Sequence, residues 1–406
     1  MKIKIAIYSI PTTNKSLFFL YKICLLLLIF QSLNVWFLWG DFYKVIIPFV
    51  FVLVSSLNRI ANKELYAEAN ELSNVLITFC LLAIVLINGV RNAGFLSIAK
   101  KIVLLFAFYD ILTLNKEAKQ YLMTFFTRVM GIITLLSLFG WILFLLDVPL
   151  PYYYLDDPVY HYTFQNYYLF LYSYHLLFPR FHSVFLEPGH FAMIAVPIIY
   201  VNRFNLKNKW VLVLLLGILF STSIAGYVTL FISMFFLFGK KKIIVLSLII
   251  GSVLLYGANY FAHSHEDNSE SAIYSLIFRR LQVNDGDLVA NDRFSEDLEN
   301  YYSNTFKKSS QCLLGLAGNT RYMQWEGGNA GYKLYIIENG YIGLFISFLI
   351  YYLLMMNCCE DEGEKKFKYG YFILFMAFFA QASYPFWFGI FFIYLSGLSY
   401  LDITDQ

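Results

Sequence analysis

Long apolar stretches separated by short polar turns run through most of this chain. A helix that spans a membrane needs roughly 20 mostly apolar residues, with a range of about 17–25. On that scale the chain holds about twelve candidate spans. They are residues 17–38, 42–57, 72–90, 94–114, 121–147, 186–202, 208–221, 223–239, 243–262, 332–356, 369–385 and 386–402. The pattern predicts an all-α fold, a polytopic integral membrane helical bundle that forms a single domain over residues 1–406.

Two longer polar segments interrupt the apolar pattern. The first covers residues 148–185 and is crowded with Tyr and Phe; the second covers residues 263–331 and carries the densest charge in the chain. Cytoplasmic loops of membrane proteins carry an excess of Lys and Arg. With about twelve spans, the basic clusters all fall on one side, at Lys2/Lys4, Arg59/Lys63, Lys116/Lys119, Arg203/Lys207/Lys209, Lys240–Lys242 and Lys365/Lys366/Lys368. We therefore predict that both termini are cytoplasmic and that both polar segments are extracytoplasmic loops, with Arg91 as a basic exception on the outer side.

The composition favours lipid over water as the solvent of this chain. Hydrophobic residues make up 59% and charged residues 14%, and the mean hydropathy is +0.60, whereas about a quarter of the residues in a soluble domain are charged. The net charge of +3 is too small to indicate nucleic-acid binding. The five cysteines show no metal-ligand spacing with His and no disulfide framework. We expect neither a metal ion nor a cofactor.

The candidate chemistry begins where the first polar segment re-enters the membrane, in residues 180–192 (Arg-Phe-His-Ser-Val-Phe-Leu-Glu-Pro-Gly-His-Phe-Ala). Pro188 is tolerated in the first turn of a helix, where its missing N–H costs little. Glu187 then lies at the helix N-terminus, where negative charge is favoured. Arg180 can pair with Glu187 or reach a phosphate. The spacing fits an interfacial helix cap with an arginine that extends to the membrane surface equally well.

Five of these residues, Arg180, Ser183, Phe185, Glu187 and Pro188, resemble the Arg-x-x-Ser-x-Phe-x-Glu-Pro motif of Wzy-type polymerases in the O-antigen polymerase and ligase superfamily. The motif stands where that group has it, at the entry to a mid-chain helix from the outer face. Downstream, residues 220–226 (Phe-Ser-Thr-Ser-Ile-Ala-Gly) resemble a small-residue turn of the group, without the arginine that the turn usually carries.

The second polar segment adds three further similarities. Residues 291–294 (Asn-Asp-Arg-Phe) resemble a Gly-Arg element of the superfamily, residues 313–319 resemble its Gly-x-Gly turn, and residues 329–344 resemble the segment that opens the next helix. In the ligases a His often begins that last segment, whereas this chain has Asn329. Because neutral Asn cannot act as a general base, the difference favours a polymerase over a ligase.

The resemblance implies a GT-C-like glycosyltransferase that needs no metal. Its substrate would be an oligosaccharide repeat unit linked to undecaprenyl pyrophosphate, joined into O-antigen, capsule or exopolysaccharide at the outer face of the bacterial cytoplasmic membrane. The implied partners are the lipid bilayer and a chain-length regulator. Negative charge grows on the leaving pyrophosphate, and the planar, permanently charged fork of Arg suits it.

Candidate residues for that chemistry follow from the matched motifs and from the outer placement of both polar segments. The implied catalytic residues are Arg180, Arg293 and Glu187, and the implied substrate-binding residues are Arg279, Arg280, Ser183, His190, Asp292 and Asn329. Glu187 is the first candidate for the base, before Asp292 and His190. The alternative is that Glu187 only orients Arg180, because pairing with Arg lowers the pKa of a carboxyl and makes it a poorer base.

Several alternatives stay open. An O-antigen-type ligase shares the donor but has a different acceptor. A flippase or transporter without bond chemistry predicts charged residues inside the bundle. The tyrosines of residues 151–162 fit sugar stacking or the interfacial aromatic belt. Residues 263–267 (His-Ser-His-Glu-Asp) fit a metal site or, preferably, a solvated loop.

Overall fold

In a computed structural model, residues 12–67, 72–156, 163–173, 180–238, 283–284, 287–288, 296–317, 332–358, 362–381 and 386–401 are described. The described helices are α1 Lys15–Ser32, α2 Asp41–Ala61, α3 Leu72–Asn88, α4 Phe95–Thr113, α5 Lys116–Leu145, α6 Pro188–Val201, α7 Lys209–Ser221, α8 Ile224–Leu237, α9 Glu296–Asn300, α10 Gln311–Leu314, α11 Tyr332–Asn357, α12 Glu362–Gln381 and α13 Phe388–Leu401. Short 3-10 turns cover Trp36–Leu38 and Lys63–Leu65, and a π-helical turn covers Tyr301–Phe306.

Polar side chains at the helix starts explain several of these boundaries. The Oδ1 of Asn14 accepts from Leu17 N at 3.0 Å, and the Oδ1 of Asn115 accepts from Ala118 N at 2.8 Å. An N-cap residue of this kind satisfies one of the donors that the first turn of a helix leaves unpaired. Polar turns with Asn therefore divide the apolar pattern into separate helices.

Four helices are long and apolar enough to cross a membrane: α1, α2, α5 and α11. Only 33% of the most apolar window of α2 is buried, and the outer face of that helix exposes Leu57 at 56% and Ile60 at 71%. A continuous exposed apolar face of this kind suits lipid. The predominantly helical fold and its apolar helices indicate a membrane protein, as the sequence predicts.

The expected number of about twelve spans is not confirmed. The apolar helices α6, α7, α8 and α13 and residues Val75–Asn88 of α3 are shorter than 18 residues. Lys100 and Lys101 interrupt the apolar character of α4. The expected span 243–262 lies outside the described residues.

The first polar segment corrects the expectation of a purely helical fold. It contains a three-stranded antiparallel sheet in the order β1-β2-β3, formed by Tyr153–Asp156, Thr163–Asn166 and Leu171–Tyr172. Tyr153 pairs with Asn166, and Gln165 pairs with Tyr172. Side chains of a strand point alternately to its two faces. Phe164 and Leu171 accordingly pack with Trp39 and Leu186 in a small core. A second antiparallel pair joins β4 Val283–Asn284 and β5 Asp287–Leu288.

One end of the helical bundle lies beside β1–β3, and we call it the sheet end. Here the backbone N–H of Gly389, in the first turn of α13, donates to Ser32 Oγ at the end of α1, at 2.7 Å. Next to it, Val35 forms an antiparallel bridge with Phe185. The end of α1, the start of α13 and the entry to α6 therefore meet at the sheet end.

Other helix termini lie at the opposite end of the bundle. Gln120 Nε2, in the first turns of α5, donates to Ser399 O near the end of α13 at 2.7 Å. Tyr66 bridges to Leu114, the C-cap of α4, which lies two residues before the start of α5. Because α4 ends here, it begins at the sheet end. The short turn between α3 and α4 then places Asn88, the last residue of α3, at the sheet end too.

α13 lies in the interior of the bundle. Almost every residue of this mainly apolar helix is buried. Tyr371 of α12 stacks on Tyr394 with 5.6 Å between the ring centroids, and the Tyr394 hydroxyl donates to Tyr351 O at 2.8 Å. Buried Tyr hydroxyls that find carbonyl partners fix the helices against each other. α13 is thus the central element on which the sheet-end residues rest.

Candidate functional site

The segment 180–187 is held by backbone hydrogen bonds to three neighbouring parts of the chain. Phe181 N donates to Phe220 O at 3.2 Å, and Leu171 N donates to Ser183 O at 3.1 Å. Trp36 N donates to Val184 O at 3.4 Å. The turn after α1, strand β3 and the end of α7 therefore fix the position of this segment at the sheet end.

Arg180 lies on the turn between α7 and α8. Its Nε donates to Thr222 Oγ1 at 3.2 Å and to Ser221 O at 3.4 Å, and its Nη2 donates to Thr222 O at 3.1 Å. Thr222 is the C-cap of α7 and has a left-handed backbone with φ 46°. Cations are favoured at helix C-termini, where carbonyls lack intrahelical donors. Arg180 thus contacts the turn at residues 220–226, which itself contains no arginine.

Glu187 is the N-cap of α6, with φ −138° and ψ 152°, and its side chain makes no capping hydrogen bond. The residue is exposed, while the six residues before it are buried. No hydrogen bond or ion pair joins its carboxylate to Arg180 or to any other described residue. The Glu187 carboxylate, which can only accept hydrogen bonds when it is ionised, faces outward at the N-terminus of α6.

Ser183 is fully buried beneath this surface. Its hydroxyl lies 2.8 Å from the Ser137 hydroxyl of α5, and Ser137 Oγ donates to Leu169 O at 2.6 Å. Ser183 also has a left-handed backbone, with φ 55°, a conformation that non-glycine residues seldom adopt. The expected substrate-binding residue thus joins the segment to α5 and the sheet.

One histidine lies within the motif, His182, and another follows it, His190. His190, in the first turn of α6, is 8% exposed and meets the Trp387 ring edge-on with 5.4 Å between centroids. His182 was not singled out from the sequence; it is 2% exposed, and its Nδ1 lies 2.5 Å from Phe185 O. Burial lowers the pKa of His182 to about 4, so its ring is neutral at physiological pH. The position of His182 in the motif gave no indication in the sequence that its ring would be buried and neutral.

The candidate residues of the second polar segment, Arg279, Arg280, Asp292, Arg293 and Asn329, lie outside the described residues. The flanks of that segment are described. Leu316 N donates to Ile337 O at 2.7 Å, and Ala317 N donates to Glu338 O at 3.0 Å. The two stretches whose glycines carried the resemblance are thus neighbours in space, at the start of α11.

A buried ionic cluster lies nearer the other end of the bundle, and the sequence interpretation missed it. Asp110 of α4 is 3% exposed. The Tyr21 hydroxyl of α1 donates to its Oδ2 at 2.8 Å, and Arg59 of α2 lies 3.5 Å from its Oδ1. The guanidinium of Arg59 also covers the rings of Tyr66 and Tyr109. The only sequence signal was a single Asp within the expected fourth span.

Comparison with known proteins finds no matching family, no similar curated protein and no similar solved structure.

Proposed function

We propose that this protein polymerises lipid-linked oligosaccharide repeat units at the outer face of the bacterial cytoplasmic membrane. The donor saccharide would leave its undecaprenyl pyrophosphate and be joined to a hydroxyl of the acceptor repeat unit. The proposal rests on the motif resemblance of residues 180–188 and on one structural observation. That observation is an outward-facing Glu187 at the start of α6. It lies on a segment fixed by three neighbouring parts of the chain, and the same segment carries Arg180, which binds the C-terminus of α7.

In the proposed reaction, the acceptor hydroxyl oxygen attacks the anomeric carbon of the donor sugar. A new C–O bond forms, the bond to the pyrophosphate oxygen breaks, and the pyrophosphate leaves with the electron pair. Glu187 accepts the hydroxyl proton, for which an exposed carboxylate that is not paired with Arg180 is better suited than a paired one. Arg180 and the arginines of the second polar segment stabilise the growing negative charge.

The charge distribution supports the proposed orientation, in which the sheet end is extracytoplasmic. Described basic residues at the other end of the bundle include Lys63, Lys116, Lys119, Arg203 and Lys207. Excess Lys and Arg mark the cytoplasmic side of a membrane protein. The proposal therefore keeps about twelve spans, cytoplasmic termini and both polar segments outside.

The buried Asp110–Arg59 pair favours a second candidate function, a lipid-linked saccharide flippase. Ionisable residues inside a membrane bundle often line a transport path. A transporter needs such groups along a route through the bundle, whereas this cluster joins α1, α2 and α4 at one level. We therefore place the flippase second and the ligase, which Asn329 disfavours, third.

A complementation assay in a polymerase-null strain tests the proposal. The variants are Arg180→Ala, Glu187→Gln and Arg293→Ala, and the control is Arg128→Ala, an exposed arginine of α5. We expect each test variant to reduce long-chain polysaccharide by about 100-fold or more, and the control to resemble the wild type. Full-length polysaccharide from both Arg180→Ala and Arg293→Ala would show that the mechanism is wrong. Single repeat units indicate loss of a polymerase, and long unattached chains indicate loss of a ligase.

A further inference from the structure

The helix α11 is broken at Gly340. This residue has φ 73° and ψ 175°, whereas the chain is helical on both sides of it. A break of this kind leaves carbonyls of the first half without their usual donors. Unpaired backbone groups are costly at membrane depth, so irregular backbone there needs partners from the protein.

The turn at residues 313–317 supplies the missing donors. Leu316 N and Ala317 N donate to the carbonyls of Ile337 and Glu338, two of the last three before the break. The two backbones touch at their glycines. A Cβ at Gly315, which has φ 76°, would collide with Glu338 O, and a Cβ at Gly340 would collide with Leu313 O. The turn therefore caps the first half of α11 by direct backbone contact.

The end of α3 holds the other side of the same turn. Asn88, the last residue of α3, and two residues of the turn that follows it donate to three consecutive carbonyls: Asn88 Nδ2 to Leu314 O at 2.9 Å, the Arg91 guanidinium to Gly315 O, and Asn92 Nδ2 to Leu316 O at 2.9 Å. Asn88 Nδ2 also reaches Asn339 O at 3.5 Å. The polar end of α3 thus contacts both the turn and the break.

We propose that residues 88–92 form a clasp that anchors the second polar segment in the break of α11, with Arg91 as its positioning residue. A charged donor makes a stronger hydrogen bond to a carbonyl than a neutral one. Arg91 is exposed, so it makes this bond without the cost of full desolvation. The clasp gives a reason for Arg91 to lie on the expected outer side, although Lys and Arg are usually in excess on the cytoplasmic side.

The consequence for activity rests on the proposed function. The turn directly precedes residues 318–331 and follows the stretch that contains Arg279, Arg280 and Arg293. Fixing the turn at the sheet end keeps one end of that segment at the same end of the bundle as Glu187. Arg91 would then act through the second segment and not by contact with substrate.

The native Cys312 allows a direct test. Cys312 is half-buried and packs against the cluster that contains Phe306 and Ile337. We would remove the other cysteines from the full-length protein and measure the rate at which a sulfonated maleimide labels Cys312 in detergent. Arg91→Ala should raise this rate about tenfold, the size expected for loss of one charge-assisted hydrogen bond. Arg91→Lys should stay near the wild type, and Arg128→Ala is the matched control.

Asn92→Ala provides a second variant, because Asn92 is exposed and its truncation removes one of the three bonds without creating a cavity. It should raise the labelling rate by a smaller factor. Unchanged labelling in a folded Arg91→Ala protein would overturn the clasp, and unchanged labelling in Asn92→Ala would do so if Arg91→Ala did not fold.

The complementation assay separates the clasp from the proposed function. Arg91→Ala should shorten or remove the polymer, and Arg91→Lys should restore it. Faster labelling with normal polymer would overturn the positioning role of Arg91. If even the wild type makes no polymer, the proposed function fails, while the labelling rates still decide whether the clasp exists.

Discussion

At the scale of single residues, the motif at 180–190 combines exposed and buried groups that the sequence does not distinguish. Glu187 faces outward, whereas Ser183, four residues earlier, is buried against Ser137. The sequence interpretation placed both in one candidate site because both belong to the matched motif, and a loop has no fixed period that would separate exposed from buried positions. Arg180 likewise has partners 41 and 42 residues away, at Ser221 and Thr222. Only the tertiary fold determines such contacts.

His182 makes stability depend on pH. Its pKa is lowered by burial from the ordinary 6.5 to about 4, so below pH 6.5 the unfolded chain binds the proton more readily than the folded one. Stability is therefore full above about pH 6.5 and falls as the pH decreases towards 4. The contribution of His182 to this loss is about 2 kcal/mol at pH 5. The charged and ionisable groups that act on the ring are Arg180, Glu187 and His190.

The measurement is thermal unfolding of the detergent-solubilised protein at pH 7.5 and pH 5. His182→Gln keeps a donor for Phe185 O and should reduce the difference between the two pH values. His190→Gln is the neighbouring control and should leave that difference closer to the wild type. Equal pH dependence in wild type and His182→Gln would contradict the assignment.

At the scale of elements, hydropathy predicted the long helices well. The spans expected at 17–38 and 121–147 correspond to α1 and α5. The sheet β1–β3 was missed because its strands have two to four residues, too few for a period of two to stand out. Their tyrosines also fit an interfacial loop equally well. Short strands are specified by their partners, and residues 157–162 and 167–170 separate these strands in the sequence.

The sequence has Asn339-Gly340 within an apolar stretch, at the position where α11 is broken. How the break is stabilised depends on the turn at residues 313–317, which the sequence does not place beside it. We predict that Gly340→Ala destabilises the protein by about 3 kcal/mol or more, since it combines a positive φ with overpacking. A Cβ at Gly340 would meet Leu313 O, Leu313 C and Gly315 N. Gly94→Ala is the matched control, because Gly94 has φ −66° and nothing lies within 4 Å of an added Cβ.

Denaturation of the purified proteins in mixed detergent micelles measures this difference. Gly94→Ala should remain within about 0.5 kcal/mol of the wild type, as is usual for open surface positions. If Gly340→Ala were as stable as Gly94→Ala, the backbone crossing between the turn and α11 would not exist as described.

At the scale of the whole molecule, the two ends of the bundle differ in chemistry. The sheet end carries β1–β3, the candidate site and the clasp, and the other end carries Lys63, Lys116, Lys119, Arg203 and Lys207. The sequence predicted these basic clusters on one side of the membrane from their positions between apolar stretches. The candidate site could not be predicted to the same degree. The position of the second polar segment depends on the contacts of residues 313–317 with α11 and with the end of α3, which are tertiary contacts.

The division predicts which end of the molecule reagents reach from outside the cell. Asp41 at the start of α2 lies at the sheet end, and Lys207 between α6 and α7 lies at the other end; both are exposed. In a cysteine-free background expressed in intact cells, Asp41→Cys should react with a membrane-impermeant maleimide, and Lys207→Cys should react only after the cells are permeabilised. The physical reason is the preference of Lys-rich loops for the cytoplasmic side. The reverse labelling pattern would put Glu187 and Arg180 in the cytoplasm, where they could not act on repeat units at the outer face, and the flippase would then become the better candidate function.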